Sequence, residues 1–216
     1  MAELLLFKFL FVTLMNKCSI MKTHDFILQK TFGLLLQKGY DGVSVSDIQQ
    51  VTGMARGLLY HYFGNLDRLF EEVVETWYRT WMVYDRETLK GKSVVELITF
   101  MVERYRCIGQ DLQEYHDRVI SFSDVEILFR EAVRHQSSFA ELYTKVQEEH
   151  YIIWKTALLN SFSRGELRSG LNLESVARHF VFIRDGIVFH TGVGSLNDHI
   201  YLLEKGLREY FEIIRR

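Results

Sequence analysis

Apolar residues recur along this chain at intervals of three and four positions, the spacing of one face of an α-helix. In the last such segment the recurring positions include Ile200, Leu203, Leu207 and Phe211. Proline, which breaks helix interiors, is absent from all 216 residues. The pattern therefore predicts an all-α protein of about nine helices. The predicted spans are 22–38, 45–51, 56–63, 66–84, 94–108, 123–135, 139–163, 173–193 and 198–214.

One stretch in the first third of the chain pairs two short predicted helices across a single glycine turn. Ser44 and Asp47 match the capping-box pattern at the start of the first helix, and Gly53 supplies the turn. The second helix, 56–63, carries a dense cluster of hydrogen-bonding rings. The cluster consists of Tyr60, His61 and Tyr62. Two short helices joined by such a turn are the components of a DNA-reading helix-turn-helix, so this stretch decides the prediction of function.

The overall charge gives no general attraction to nucleic acid. The net charge is −2 at pH 7, and between residues 22 and 70 five basic residues are opposed by four aspartates. DNA binding would therefore depend on where the individual hydrogen-bond donors lie. A dimer would double the few positive groups, and helix N-termini could add phosphate contacts without a charged side chain.

The first twenty residues differ in character from the rest. The apolar run Leu4–Leu14 contains Lys8 and is too short to span a bilayer as a helix. Glu3 precedes it, where a secretory signal would carry positive charge. Either Met21 is the true initiator, or the segment is a helix that packs on the body or touches a membrane. We predict an N-terminal extension over 1–21 and no membrane partner.

The two cysteines, Cys18 and Cys107, have no metal-ligand spacing and suggest no disulfide framework. A cytoplasmic location is expected, because a reducing compartment suits free thiols. No metal and no cofactor are predicted.

Residues 23–70 resemble the DNA-binding domain of the tetracycline-repressor-like (TetR/AcrR) family of bacterial transcription regulators. The matching residues, in order and with the correct gaps, are Gly39, Tyr40, Ser44, Ile48, Gly53, Gly57, Leu59, Tyr60, His61, Tyr62, Phe63, Asn65 and Asp67. Three positions depart from the pattern. Ala55 replaces the usual Ser, Leu58 stands where a Thr or Ser often contacts DNA, and Leu66 stands where Lys is common. Each departure removes a potential polar contact.

The resemblance implies a homodimer that reads a double-stranded DNA operator, with helix 56–63 of each copy in the major groove. The residues implied to touch DNA are Ser44, Arg56, Gly57, Tyr60, His61 and Tyr62. Structural interpretations stay open beside this one. Ser44 would then only cap its helix, Arg56 and His61 would be solvated, the tyrosine rings would pack, and Gly57 would pack against the first helix. Leu59 and Phe63 are assigned to the core.

The remaining two thirds of the chain resembles the family in length and helical character. The resemblance implies a helix-turn-helix domain over 22–66 and a helical effector-binding and dimerisation domain over 67–216. A repressor released by a small-molecule effector is the expected mechanism. Candidate pocket residues are Trp77, Trp81, Phe100, Tyr105, Tyr143, His150, Trp154, Phe180 and Arg184, with Phe182 and His190 as further possibilities. The same aromatic spacing also fits an ordinary core.

The last two helices are the expected dimer surface, because they would pack with their copies as a four-helix arrangement. The candidates are Ile187, Phe189, Leu203, Leu207 and Tyr210, of which some must serve the protomer core.

An enzyme is disfavoured and no catalytic residue is assigned. None of the eight histidines has Glu three residues before it, which excludes the Glu-x-x-His pairs of a di-iron bundle. Neither a phosphate loop nor a G-x-S-x-G elbow is present. The alternative kept open is a helical interaction protein that has lost DNA reading.

Overall fold

The computed structural model describes residues 23–113, 120–190 and 195–216, and within these ranges it is helical. The helices are α1 (Thr23–Lys38), α2 (Val45–Thr52), α3 (Arg56–Phe63), α4 (Leu66–Met82), α5 (Arg86–Leu89), α6 (Val94–Gln113), α7 (Phe122–His135), α8 (Ser137–Ser163), α9 (Leu173–His190) and α10 (Leu196–Ile214). The all-α class is confirmed. The predicted extension over 1–21, with Cys18, lies outside the described residues, as do the side chain of His190 and the predicted helical residues 191–193.

The predicted helix bounds agree with the structure to within a few residues, with one omission. Helix α3 has the predicted bounds, whereas α6 extends beyond its predicted end at 108 as far as Gln113. Helix α5 was not predicted, because four residues are too short to show a helical period. Its start is fixed by Asp85, whose carboxylate accepts the N–H of Glu87 at 3.1 Å.

The first three helices form a small unit with its own buried residues. Helix α1 packs on α2 and α4, and α3 packs on α4. Ile27, Phe32 and Ile48 are completely buried there. The His24 ring also stacks on Phe63 of α3 at 4.8 Å, and its Nε2 lies 2.9 Å from the Glu72 carboxylate of α4. These contacts fix α3 relative to its neighbours.

Helices α6 to α10 form the larger unit. Helix α9 packs against α7, α8 and α10, while α6 packs against α8 and α10. At the crossing of α9 and α10, a Cβ on Gly206 would lie 3.0 Å from Cδ1 of Ile187, so the missing side chain permits the close approach. Within the described ranges, no helix is long and apolar enough to cross a bilayer.

Helix α4 belongs to both units. It packs on α1 and α3 and also on α7 and α8. The Phe32 ring of α1 stacks on Trp77 of α4 at 4.5 Å, and the Trp81 Nε1 donates to Asp111 of α6 at 3.1 Å. The two units are therefore joined by a continuous helix rather than by a linker.

Candidate nucleic-acid interface and effector site

The turn between α2 and α3 is held by local hydrogen bonds. Gly53 ends α2 in the left-handed conformation with φ +69°, and its N–H donates to the Gln49 carbonyl at 2.8 Å. The Thr52 hydroxyl donates to the Ile48 carbonyl at 2.6 Å and accepts the Met54 N–H at 3.3 Å. The direction in which α3 leaves α2 is thus set by backbone geometry.

Helix α3 has one buried face and one exposed face. Leu59 and Phe63 are buried, as assigned from the sequence. Arg56, Gly57, Leu58, His61 and Tyr62 are exposed, and Tyr60 is half-buried. Five of the six predicted DNA-contact residues therefore lie on this one short helix, and four of those five are exposed.

The exposed face of α3 is rich in hydrogen-bond donors. The Arg56 Nη2 donates to the Tyr60 hydroxyl at 3.1 Å, and the guanidinium lies over the same ring, 5.2 Å from its centroid. Residues 56–63 include no acidic side chain. Ala55 makes no side-chain cap, so the first N–H groups of α3 are left for another acceptor. A helix N-terminus of this kind favours an anion.

Gly57 is not a packing glycine. A Cβ built at Gly57 would meet no atom within 4 Å outside its own helical turn. The interpretation that Gly57 packs against the first helix is therefore wrong. Because Gly57 has no side chain, the backbone of α3 is exposed at this position.

Ser44 lies at the start of α2, where its hydroxyl is already bonded. The Ser44 Oγ accepts the Asp47 N–H at 3.3 Å, and the Asp47 carboxylate accepts the Ser44 backbone N–H at 2.8 Å, which completes the predicted capping box. Lys38 also pairs with Asp47, and these two partners hold the pKa of the Asp47 carboxyl well below its usual range. Ser44 caps α2 and is also exposed on the surface. Its contact with a DNA phosphate remains a prediction.

The two units meet at Tyr40, just after α1. The Gln136 amide donates to the Tyr40 hydroxyl and, at 3.3 Å, to the Asp67 carbonyl. The Tyr40 ring stacks on the His135 ring at 4.5 Å. Burial, followed by the charge of Asp67, raises the pKa of the Tyr40 phenol to about 12, so the hydroxyl stays protonated.

Most of the aromatic residues predicted to line a pocket are core residues instead. Trp81, Tyr105, Trp154 and Phe180 are buried, and Trp154 stacks on Phe180 with ring centroids 4.4 Å apart. Phe100 packs against Tyr84 as a partly buried ring. None of these five residues borders the cleft described next. Their assignment to a pocket is corrected, because the helical period that suggested it is also the period of a helix packed on both sides.

Two predicted polar anchors do come together. His150 of α8 accepts a hydrogen bond from the Arg184 Nη1 of α9, while its Nε2 donates to the Met82 carbonyl at 2.7 Å. Burial, followed by the charge of Arg184, lowers the pKa of His150 to about 3. The imidazole is therefore neutral, with its proton on Nε2.

A cleft of about 310 Å³, with the open solvent included, reaches Arg184 of this pair from the surface. Its lining residues are Tyr78, Met82, Glu126, Gln147, Arg184, Asp185, Val188 and Phe189. Of the predicted pocket residues, Arg184 lines the cleft, while Tyr143 supports the lining residue Glu126 through a hydroxyl bond of 2.7 Å. The sequence offers no signal for Gln147 or Asp185, because their proximity depends on how α8 and α9 cross.

The predicted dimer residues divide into buried and surface positions. Leu203 and Leu207 are 2% and 1% exposed within the protomer, so they are core residues and not surface contacts. Ile187 is half-buried, and the Tyr210 hydroxyl bonds to His179 at 2.7 Å. Phe189 is exposed. Further exposed apolar residues of α9 and α10 are Phe182, Tyr201, Leu202 and Ile213.

Comparison with known proteins agrees with this arrangement of helices. Residues 27–73, which include α2 and α3, match the family model for bacterial regulatory proteins of the tetR family. The helix-turn-helix region is therefore similar to that of the tetR family. The family is one of transcriptional regulators rather than of enzymes.

The TetR-family relatives extend the similarity beyond the first three helices. The transcriptional repressor AcnR of Corynebacterium efficiens is 21% identical over 84% of this chain and 90% of its own length. The transcriptional repressor KstR2 of Mycolicibacterium smegmatis is 26% identical over 74% of each chain. A TetR regulator of known structure from Haloarcula marismortui superposes with a TM-score of 0.64 at 14% identity, over 90% of this chain and 98% of that one. The larger helical unit therefore shares the TetR fold.

Proposed function

We propose that this chain is a TetR-family transcriptional repressor that binds operator DNA as a homodimer and leaves it when a small molecule binds the larger unit. The observation that carries the proposal is the exposed face of α3, which holds a guanidinium, two phenol rings and an imidazole beyond a rigid glycine turn. The similarity to AcnR and KstR2, both described as repressors, supports repression rather than activation.

Each polar group on the outer side of α3, including the half-buried Tyr60, has a role that its chemistry permits. Arg56, at the N-terminal end, reaches guanine O6 and N7 or a phosphate. Tyr60, His61 and Tyr62 donate to backbone phosphates, which position the protein without reading sequence. Gly57 lets the helix approach the groove closely, and the uncapped N-terminus of α3 attracts a phosphate.

Ser44 is proposed to add one more phosphate contact from the start of α2. Its Oγ–H, which donates to the Asp47 carboxylate, would turn to donate to the phosphate, while the oxygen still accepts the Asp47 N–H and caps α2. The helix-turn-helix domain accordingly covers 22–66, and residues 67–216 form the effector-binding and dimerisation domain.

The dimer surface is proposed to lie on the outer faces of α9 and α10. Exposed apolar residues on these helices would be covered by a second copy, which also supplies the second reading helix. The members proposed are Phe182, Phe189, Tyr201, Leu202 and Ile213, with Ile187 and Tyr210 at the edge.

The proposal is tested by fluorescence anisotropy of the full chain against labelled DNA tiled across the region upstream of its own gene. Binding should weaken steeply with salt, since each neutralised phosphate releases about 0.9 counterion. Arg56→Ala should lower affinity about 10- to 100-fold, corresponding to about 1–3 kcal/mol for a base-reading arginine. The matched control is Arg86→Ala on α5, at the other end of α4, and it should change little. Absence of binding at low salt would instead favour a helical interaction protein that has lost DNA reading.

A further inference from the structure

Arg184 is a buried cation with an incomplete set of acceptors. A guanidinium has five N–H donors. Four of them are bonded: the Nε to Asp185 at 2.8 Å, the Nη2 to Asp185 at 2.6 Å and to Gln147 at 2.9 Å, and the Nη1 to His150. The fifth, on Nη1, meets no acceptor among the residues that the structure describes.

The charge of Arg184 is paired with one carboxylate, that of Asp185, and this carboxylate is partly exposed to solvent. Gln147 and His150 are neutral acceptors, because the His150 proton is on Nε2. The Arg184 side chain is 6% exposed, whereas the Asp185 side chain is 39% exposed. Burying a guanidinium costs several kcal/mol that an exposed partner recovers incompletely. This arrangement does little for stability and leaves the guanidinium available to a ligand anion.

A second unpaired donor lies beside the same imidazole. The Tyr84 ring stacks on His150 with centroids 4.9 Å apart, and its buried hydroxyl has no hydrogen-bond partner in the described part of the chain. Burial raises the pKa of this phenol, so the group remains an O–H donor. Of these two donors only Arg184 lines the cleft, and an unpaired cationic donor is complementary to an anion that accepts hydrogen bonds.

The cleft gives Arg184 access to solvent along an apolar wall. Met82, Val188 and Phe189 form its apolar part. The one other carboxylate of the lining besides Asp185, that of Glu126, is already bonded by Arg130 Nε at 2.9 Å and by the Tyr143 hydroxyl at 2.7 Å.

We propose that this cleft binds a small monocarboxylate with a short apolar chain. Its carboxylate takes the place of Asp185 on the Arg184 Nη2 and also accepts the unpaired Nη1 hydrogen, and its chain lies along Met82 and Val188. Asp185 then turns outward, into the solvent that it already meets. The inference rests on the proposed function, since this ligand is the effector. It goes further by naming the ligand's chemical class and the residue that recognises it.

The site is linked to the DNA-binding unit by one hydrogen-bonded chain. Arg184 bonds to His150, and His150 bonds to the carbonyl of Met82, the last residue of α4. A ligand that draws the guanidinium towards the cleft acts on the imidazole and so on the end of α4. Its effect on DNA affinity is limited to the difference between its affinities for the two states.

The test is isothermal titration calorimetry of the full chain with butanoate, hexanoate and octanoate, each compared with its amide and its amine. The carboxylates should bind, their amides should bind at least tenfold more weakly, and their amines should not bind. Arg184→Gln should abolish carboxylate binding. Asp185→Asn removes the competing carboxylate from a partly exposed position, so it should strengthen carboxylate binding several-fold with an unchanged far-ultraviolet spectrum.

Three results would overturn the inference: no carboxylate binds, the amines bind best, or Asp185→Asn weakens carboxylate binding. The second result would make the cleft a cation site formed by Asp185 and Glu126. The DNA anisotropy assay separates this failure from failure of the proposed function. Intact Arg56-dependent DNA binding without carboxylate binding rejects the inference alone, whereas carboxylate binding without DNA binding rejects the repressor.

Discussion

The backbone N–H of Tyr40 donates to the carboxylate of Glu131 across 3.0 Å. This bond joins the loop after α1 to helix α7, and thereby the DNA-binding unit to the larger unit. Helix α7 also carries Glu126, five residues earlier, which lines the cleft. One helix therefore contacts both the candidate effector site and the unit that holds the reading helix.

Replacing Glu131 should loosen this junction. We expect Glu131→Ala to lower the free energy of unfolding by about 1–2 kcal/mol, the range for a hydrogen bond to a partly exposed charged group. It should also weaken the response of DNA binding to effector. Urea denaturation and DNA anisotropy are the measurements. Glu141→Ala, at an exposed position of α8, is the control. Equal effects of the two substitutions would show that the Tyr40 contact has no special role.

Two glycines of the reading unit should respond in opposite ways to alanine. Gly53 has φ +69° and open space around a Cβ, so Gly53→Ala should cost about 1–2 kcal/mol of stability from backbone strain alone. Gly57 is inside α3 with equally open space, so Gly57→Ala should stabilise the fold by about 0.5–1 kcal/mol. If Gly57 approaches DNA as proposed, its variant should nevertheless bind operator more weakly. A more stable variant with unchanged DNA affinity would remove Gly57 from the proposed interface.

The buried histidine predicts an acid-sensitive stability. The pKa of His150 is about 3 in the folded chain and close to 6.5 when unfolded. Above about pH 6.5 neither state binds this proton, and below it the unfolded state binds a proton that the folded state excludes. Stability is therefore complete above that pH and falls as pH decreases, by up to about 1.4 kcal/mol per unit from this group. Unfolding free energies of the protein and of His150→Gln, measured from neutral pH downwards, should diverge in slope. Parallel curves would contradict the assignment of a neutral His150.

The dimer proposal makes a prediction for Phe182, which is 61% exposed on α9. Phe182→Lys should shift the protein towards monomers at micromolar concentration. It should also lower operator affinity more than tenfold, because each monomer would bind one half-site without the contribution of a second copy. Sedimentation velocity measures the first effect and anisotropy the second. Val95→Lys on α6 is the control, because it places the same charge at another exposed apolar position. A Phe182 variant that stays dimeric would place the interface elsewhere.

The sequence predicts the reading unit well because local rules determine it. The capping box at Ser44, the left-handed turn at Gly53 and the bounds of α3 each depend on residues within a few positions of one another. The inward orientation of Leu59 and Phe63 follows from the helical period. Each of these features is therefore readable from the chain itself.

The larger unit is less predictable because its details depend on how helices cross. Apolar period alone does not distinguish a core position from a surface one when a helix is packed on several sides, which is why Leu203 and Trp154 are misassigned. His150 and Arg184 were identified as polar residues on apolar helices, but their contact and the role of Asp185 needed the relative placement of α8 and α9. Tyr84 was missed, since nothing local marks an unpaired hydroxyl.

The uninterrupted course of α4 has a mechanical consequence. Seventeen residues give a rod of about 25 Å between the Asn65 cap and the carbonyl that His150 holds. Pivoting such a rod by about 5° would shift its opposite end by about 2 Å. In a two-fold assembly the two shifts add, and recognition helices must stay about 34 Å apart to enter successive major grooves. A small displacement of the α4 end beside the cleft would therefore change the distance between the two recognition helices. That distance would then no longer match the spacing of successive major grooves.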